Sequence, residues 1–473
     1  MITDRRLMGE SPCFSDAFTT FQTRCMTGSR RMGYKGDQGD DRKHRRFCMK
    51  CIVLFLCLLT YAGAEAAPVL KAGVARTDIT PAVSMRMYGY ANRQCGPSNG
   101  THDPLYAKAL VLESGGSRIA IVTLDLGSMI SERLKDDVAV KLGIPVLLLA
   151  ASHTHSSPAF LPFGSAPVRD DAGAAYRAEL EQKIFRTVEQ ASKSTFPARL
   201  GVGRGSIQLG YNRLQLQSDG RSRVLFRNPE RIPWGPVDPE FDLLRVDDTA
   251  GQTRALLVHY AVHAVVLGKT NCKFSADYPG VMQTRVEGEL PGTQVMFVQG
   301  GAGDINPLLM GRSEDEAADF AIAQKMGDLL AAEVVKANKS VTGVEAGPIR
   351  SRSELLEFRN RWDKGKKLAV GVTTVLIGKN IAMATVPGEP MHLLQKAWKS
   401  QADVAHPLFY GYTYTNGGTW AGYIPDLRSA ARGGYGADTS TTIEVGAGER
   451  IIQQHLINLY DLQGMWREAP GKR

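Results

Sequence analysis

The chain has 473 residues, of which 43% are hydrophobic and 22% charged, as expected for a globular protein with a substantial core. Its formal net charge is +9, but residues 1–50 contain eleven Lys and Arg against six Asp and Glu, a surplus of five. The rest of the chain is only weakly basic, which argues against a nucleic-acid-binding protein.

The first part of the chain is typical of a basic leader followed by a secretion signal. Residues 1–48 are predicted to be disordered and contain no recognisable chemistry. Residues 49–66 combine an apolar run, Cys51 to Leu59, with a small-residue cleavage site at Ala64-Glu65-Ala66. Because Met49 begins a normal signal by itself, we regard it as an alternative start. The sequence therefore predicts a secreted or periplasmic protein, with association at the cell surface left open.

After the signal, strand-like and helix-like patterns alternate without a linker or repeat. The predicted strands are Val69–Thr80, Ala107–Glu113, Arg118–Leu126, Val146–Ala151, Asp238–Asp248, Arg254–Leu267, Gln294–Val298 and a hairpin within Leu368–Val386. The predicted helices are Ile130–Leu142, Ala172–Ser194, Val281–Leu290, Asp315–Lys336, Met391–Ser400 and Ala447–Leu462. This order predicts one large α/β domain over residues 68–473.

One stretch, Pro145 to Pro158 (PVLLLAASHTHSSP), stands out because a continuous apolar run ends in a polar cluster. The apolar run is typical of a strand that is buried on both faces. In an extended backbone alternate residues share a face, so His153 and His155 are predicted to point the same way. Side chains at the carboxyl end of such a strand are where α/β proteins tend to bind ligands.

Other polar residues also follow predicted strands, but no standard catalytic signature is present. The mature chain has no His-Glu-x-x-His, no paired Cys-x-x-Cys, no Gly-x-Ser-x-Gly and no Walker loop. Taken singly, each histidine is more typical of a structural role. The polar residues at the ends of predicted strands are His102, His263, Asp304, Asn306, Glu389, Tyr423 and Tyr435.

Taken in order, the segments resemble the neutral/alkaline, non-lysosomal ceramidase family, specifically its amino-terminal catalytic domain. The shared motifs, from about Ala72 to Gly446, are GVARTDIT, MYGYAN, YAKALVLE, TLDLG, ASHTHSSP, VHYAVH, QGGAGDINP and VPGEP. Each motif is weak alone, whereas their order and spacing are specific. The resemblance implies a layered α/β catalytic domain with a mixed sheet, and an enzyme that hydrolyses an N-acyl amide.

The resemblance also implies one zinc ion, held by His153, His263, Glu389 and Tyr423. Two neutral imidazoles and a carboxylate form a familiar catalytic zinc shell, and zinc lowers the pKa of a bound water toward ~7 and polarises a carbonyl. A second family tyrosine, which hydrogen-bonds the reacting group, matches Tyr435.

Further roles follow from the same resemblance. His155 is predicted to orient substrate or guide protons, and Asp304 to orient the site or accept a proton. Asn306 replaces the serine that the family assigns as catalytic; asparagine is not a nucleophile, but it can donate a hydrogen bond to an oxyanion. If that serine is essential, ceramidase chemistry is lost, whereas attack by metal-activated water would retain hydrolysis. His102 precedes Asp-Pro-Leu where ceramidases carry an arginine, and is predicted to be structural.

The predicted function is thus an exported zinc-dependent hydrolase that cleaves an amide, or an ester, in a small-molecule or lipid-like substrate, with ceramide as one candidate. At most peripheral membrane contact is expected, because the chain ends soon after the catalytic region and we expect the family's carboxyl-terminal immunoglobulin-like domain to be missing. The alternatives are a metal-dependent enzyme for a carbohydrate or amino-sugar derivative, and a catalytically inactive, metal-stabilised binding protein.

A disulfide is predicted as well. Five of the seven cysteines lie in the leader or signal, so only Cys95 and Cys272 remain after cleavage. An even pair in an exported chain fits one disulfide, with two free buried thiols as the alternative.

Overall fold

The computed structural model describes residues 69–93, 95–161, 171–311 and 315–466. The predicted leader and signal peptide, residues 1–48 and 49–66, lie outside the described residues. Among the described helices, none is long and apolar enough to cross a lipid bilayer.

The elements alternate along the chain as the sequence predicts. The strands are β1 Lys71–Asp78, β2 Tyr106–Ser114, β3 Ser117–Leu124, β4 Val146–Ala151, β5 Phe196–Ser206, β6 Gly210–Asn212, β7 Leu214–Leu216, β8 Ser222–Val224, β9 Glu240–Asp248, β10 Thr253–Tyr260, β11 Gln294–Gln299, β12 Ile305–Pro307, β13 Thr342–Val344, β14 Ile349–Arg359, β15 Lys367–Ile377, β16 Ile381–Thr385, β17 Glu389–Pro390, β18 His406–Tyr410, β19 Thr413–Tyr414 and β20 Tyr423–Ile424. The helices are α1 Glu132–Leu142, α2 Asp171–Lys193, α3 Asp277–Glu289, α4 Glu316–Asn338, α5 His392–Gln401, α6 Leu427–Arg432 and α7 Ala447–Leu462.

Two predicted boundaries are wrong by four residues or more, each for a local reason. The strand predicted to run to Leu267 ends at Tyr260, because the apolar residues after it turn while staying buried, with the Val265 amide donating to the His263 carbonyl. The helix predicted from Val281 begins at Asp277. Pro279 lies in its first turn, where a missing amide hydrogen costs no helical hydrogen bond.

A ten-stranded mixed sheet dominates the fold, in the order β11-β10-β9-β5-β1-β2-β3-β4-β19, with β13 added on β5. The β3/β4 and β10/β11 pairs are parallel, and the other pairs in this sheet are antiparallel. A second mixed sheet has the order β14-β15-β16-β18. The predicted layered α/β fold with a mixed sheet is therefore confirmed.

Side-chain alternation along the strands divides the core into layers. On β4, Leu147 and Leu149 pack with the residues of α1 and α2, whereas Leu148 and Ala150 face the second sheet. The opposite face of that second sheet packs against α5 and α7, and α3 and α4 cover β9 to β11. Helices therefore flank a pair of packed sheets on both sides.

The large sheet curls so that its two ends meet. Gln299, the last residue of β11, donates from Nε2 to the Ser152 carbonyl just beyond β4, at 3.2 Å, although β11 and β4 stand far apart in strand order. The same Nε2 donates to the Val262 carbonyl at 2.9 Å. The curl thus brings together the segments that follow β4 and β10.

Packing between the two sheets is testable at Leu148, which is fully buried there. Leu148→Ala removes apolar contacts and leaves a cavity that the strands cannot close. We therefore expect a loss of about 2–5 kcal/mol in the free energy of unfolding. Val140→Ala, at a side chain 84% exposed on α1, is the matched control and should change stability by no more than ~0.5 kcal/mol. Equal losses in denaturant titrations of the two variants would contradict this layering.

Candidate metal centre

Three histidines converge where β4 and β10 end. His153 and His155 follow β4, and His263 follows β10. One ring nitrogen from each lies within 4.8 Å of the others, and all three side chains are buried. His153 Nε2 and His155 Nε2 are 3.3 Å apart.

The route by which His153 and His155 meet differs from the prediction. An extended backbone was expected, but His153 has a φ of 63°, in the left-handed region. The His153 amide donates to the Leu126 carbonyl and the His155 amide to the Ala264 carbonyl, so the chain turns as soon as β4 ends. The two side chains share the site because of this turn and not because of strand alternation.

Backbone carbonyls fix the orientation of two of the rings. His153 Nδ1 lies 2.7 Å from the Gly127 carbonyl oxygen, and His263 Nδ1 lies 2.8 Å from that of Ala302. A carbonyl only accepts, so each Nδ1 carries the proton and each Nε2 presents a lone pair to the site. This is the arrangement found in metal-binding histidines.

Glu389 faces both of these lone pairs. Its Oε2 lies 3.3 Å from His153 Nε2 and 3.3 Å from His263 Nε2. Among the described residues, neither Glu389 Oε2 nor His263 Nε2 has a hydrogen-bond partner, and both are buried. Two lone pairs aimed at a carboxylate oxygen repel one another, and a shared cation would turn this repulsion into attraction.

Burial keeps His263 and His155 in the neutral form that binds metal. It lowers the pKa of His263 to about 4, with His153 nearby adding to the effect. Burial and the two neighbouring histidines lower the pKa of His155 well below its usual value. Neutral imidazoles around a carboxylate suit Zn²⁺.

Tyr423 reaches the cluster through a short strand pair. β17 and β20 run parallel, with Glu389 opposite Tyr423. The Tyr423 ring lies 6.4 Å from that of His263, centroid to centroid. Burial and the charge of Glu389 raise the pKa of Tyr423 well above its usual value, and the hydrogen-bonded guanidinium of Arg213 opposes them.

Arg213 is the site residue that sequence reasoning missed. It is buried, and its Nη2 donates to the Gly303 carbonyl at 2.6 Å while Nη1 donates to Asn306 Oδ1 at 3.1 Å. Its guanidinium also lies 5.2 Å from the Tyr435 ring centroid. Its partners are about ninety positions or more away in sequence, so no local pattern separates it from an ordinary surface arginine.

The other predicted site residues fall into two groups. Asn306 and Tyr435 join the centre through Arg213, and the Tyr435 ring packs edge-on to Tyr423 at 5.4 Å. Asp304 is instead held by hydrogen bonds from the His392 amide at 2.9 Å and from His392 Nδ1 at 2.6 Å. A third, from Asn212 Nδ2, is 2.8 Å long. Its carboxylate ties three segments together, and its role in proton transfer stays a prediction.

His102 and the two cysteines lie outside the histidine cluster. His102 stacks on Phe320, with ring centroids 3.7 Å apart, and is not part of the histidine cluster. Cys95 and Cys272 form the predicted disulfide. Close to it, the Arg93 guanidinium donates to the carbonyls of His155 and Asn271, which supports the segment carrying His155.

The fold and the buried cluster define a layered α/β protein with a candidate metal centre, and comparison with known proteins gives its family. Residues 70–337 match the family described as neutral/alkaline non-lysosomal ceramidase, N-terminal. Because this match covers more than half of the chain, the chain belongs to the neutral/alkaline non-lysosomal ceramidase family.

Individual relatives agree. Neutral ceramidase A of Dictyostelium discoideum is 28% identical over 262 residues, covering 50% of this chain and 35% of that protein. Neutral ceramidase 2 of Arabidopsis thaliana is 28% identical over 244 residues, covering 48% of this chain and 31% of that protein. The aligned part therefore spans about a third of these relatives. The crystal structure of neutral ceramidase from Pseudomonas aeruginosa has the same fold, with a TM-score of 0.68 and 19% identity over 86% of this chain and 76% of that one.

The packing around His155 gives a test of the site's architecture. Gly89 has a φ of 98°, and a Cβ added there would lie 2.3 Å from the His155 ring. Gly89→Ala should therefore displace the ring and lower the free energy of unfolding by about 2–4 kcal/mol, which combines backbone strain with the clash. Thermal and denaturant unfolding measure the change.

Gly116→Ala is the matched control, because Gly116 has a φ of 77° and open space where a Cβ would be placed. It should show only the backbone component, about 1 kcal/mol. Equal losses for both variants would show that Gly89 does not pack on His155 as described.

Proposed function

We propose that this protein is a zinc-dependent hydrolase that cleaves the N-acyl amide of a ceramide-like lipid. The observation that best supports the proposal is the pair of histidine Nε2 lone pairs facing Glu389 Oε2, because this arrangement needs a cation for stability. The substrate class rests on family membership and on relatives that are named neutral ceramidases.

The residues that would hold the metal are His153, His263, Glu389 and Tyr423, with His155 Nε2 also within reach. A zinc ion bound there supplies a Lewis acid for the substrate carbonyl and lowers the pKa of water. Burial disfavours the phenolate form of Tyr423, whereas Arg213 favours it. Tyr423 therefore fits a ligand that loses its hydroxyl proton only when a cation is near.

Arg213 and Asn306 would stabilise the negative charge that develops on the amide oxygen. Because Asn306 Oδ1 accepts from Arg213, the amide Nδ2 of Asn306 is turned away from the guanidinium as a fixed donor. A buried cation beside a fixed donor is preorganised for an oxyanion. Tyr435, in contact with Tyr423 and Arg213, offers a hydroxyl to the same region.

His155 would move the proton. Its pKa lies well below its usual value, so it is neutral at neutral pH and has a lone pair free to accept a proton. It could take the proton from the attacking water and deliver it to the leaving amine. Its Nδ1 has no hydrogen-bond partner among the described residues, so the ring has capacity for both steps.

Export to an oxidising compartment is part of the proposal. It rests on the signal-like sequence at residues 49–66. The Cys95–Cys272 disulfide supports it, because such bonds persist mainly outside the reducing cytosol.

Metal content tests the ligand assignment. His263→Ala removes a ligand and leaves Glu389 without one of its two imidazoles, so purified protein should lose zinc, measured by elemental analysis, together with turnover of a fluorescent N-acyl sphingosine. His102→Ala is the control and should retain zinc, because His102 lies outside the cluster. Full zinc occupancy in His263→Ala, or zinc loss in His102→Ala, would contradict the assignment.

Substitutions at Asn306 test how strongly the reaction depends on this side chain. Asn306→Ala removes both the donor and the acceptor for Arg213, so kcat should fall about 10²–10³-fold, with zinc content unchanged. Asn306→Ser restores the hydroxyl of the family motif and should keep more activity than Asn306→Ala. If Asn306→Ala retains full turnover, the side chain does not stabilise the reaction. If the unmodified protein binds zinc but cleaves no N-acyl sphingosine, another substrate or a binding role would be favoured.

A further inference from the structure

A long exposed segment begins and ends at the candidate site. Residues 214–236, called the rim segment below, follow directly after Arg213. The segment returns to the same place, because the Asn212 amide donates to the Trp234 carbonyl at 2.8 Å and Asn212 Nδ2 donates to the Pro236 carbonyl at 3.1 Å. Its two ends are thus anchored beside Asn306 and Asp304.

The rim segment forms the outer edge of the site. Phe226 packs edge-on to Tyr435, with centroids 5.3 Å apart, and the Arg213 guanidinium lies 6.0 Å from the Phe226 centroid. Tyr435 in turn packs on buried Tyr423. A chain of aromatic contacts therefore runs from Tyr423 outward to Phe226, which is 45% exposed.

Apolar and cationic side chains are both exposed on this segment. Besides Phe226, Trp234 is 41% and Ile232 36% exposed. Between and beside them the arginines Arg223, Arg227 and Arg231 are exposed, and within the described residues no ion pair involves any of these three. Solvent-facing aromatic rings among unpaired cations are costly to keep in water and are suited to a lipid–water interface.

The surface continues onto α6. The Arg221 guanidinium donates to the Ala431 carbonyl at 3.2 Å, which joins the rim segment to that helix. There Leu427 is 50% exposed, and Arg428 is exposed beside it. The rim segment itself contains four arginines against one aspartate and one glutamate, so the surface has a positive balance at the edge of the site.

We propose that the rim segment docks the protein onto the surface of a lipid bilayer that contains anionic lipid. Arginines attract anionic headgroups, whereas Phe226, Ile232 and Trp234 enter the interface, where aromatic side chains are favoured. The inference deepens the proposed function and rests on it for its purpose: docking at this edge would place the site next to a lipid substrate. It also extends the sequence-based expectation of at most peripheral membrane contact.

Vesicle binding by the full chain tests the proposal without any turnover. We expect the protein to sediment with vesicles of phosphatidylcholine mixed with phosphatidylglycerol and to bind vesicles of phosphatidylcholine alone much more weakly. Binding should decrease at about 1 M salt, where the screening length is only about 3 Å. Arg223→Glu/Arg227→Glu should weaken binding to the anionic vesicles at least ~10-fold. Ile232→Ser/Trp234→Ser should also weaken it, and this loss should persist at high salt.

Control variants on helices outside the rim segment are Arg186→Glu/Lys193→Glu on α2 and Val140→Ser on α1, all at exposed positions. These should bind vesicles like the unmodified protein. Thermal unfolding and zinc content check that every variant is folded. Failure of the unmodified protein to bind anionic vesicles, or equal binding by rim and control variants, would overturn the docking proposal. Normal vesicle binding without cleavage of any N-acyl sphingosine would leave docking in place and overturn the proposed function alone.

Discussion

The side-chain amide of Gln299 is the contact on which the candidate site depends most. It is fully buried, and its Nε2 bridges the carbonyls of Ser152 and Val262, the residues immediately before His153 and His263. These carbonyls belong to segments that leave opposite parts of the large sheet, so the bridge closes the curl. A buried carbonyl left without a donor costs about 1–3 kcal/mol, so this part of the fold strongly favours the closed arrangement. The hydrogen bonds that close the sheet therefore also bring the imidazoles of His153 and His263 together.

Long elements were predictable because their signals are local. The hairpin of β2 and β3 follows from two apolar runs and the Gly115-Gly116 turn, and both glycines have the positive φ that a tight turn requires. Helix α1 is bounded by a Ser131 cap that accepts from the Leu134 amide and by Gly143 in the left-handed conformation. Neither feature depends on distant residues, so periodicity and capping residues were sufficient.

The short strands could not be predicted, and they are the ones that build the site. β6, β12, β17 and β20 are two or three residues long, which is too short for any periodic pattern. Their pairing partners are distant in sequence, more than thirty positions for β17 with β20 and more than ninety for β12 with β6, where Asn306 pairs with Tyr211. These pairs position Arg213, Asn306 and Glu389. Family resemblance nominated Glu389 and Asn306 because they lie in motifs, whereas Arg213 lies in none of the motifs and became visible only from its contacts.

Arg213 also gives a physical account of the asparagine in this chain. The guanidinium needs acceptors, and it finds the Gly303 carbonyl and Asn306 Oδ1 on the same short strand region. An asparagine accepts from the cation with Oδ1 and donates with a separate atom, Nδ2, whereas a serine hydroxyl would have to accept and donate through one oxygen. The side chain at position 306 is therefore matched to holding a donor in place and not to forming a covalent bond. Under the proposed function, the attacking group must then be water, and His155, neutral and buried beside His153, is the base in position to take its proton.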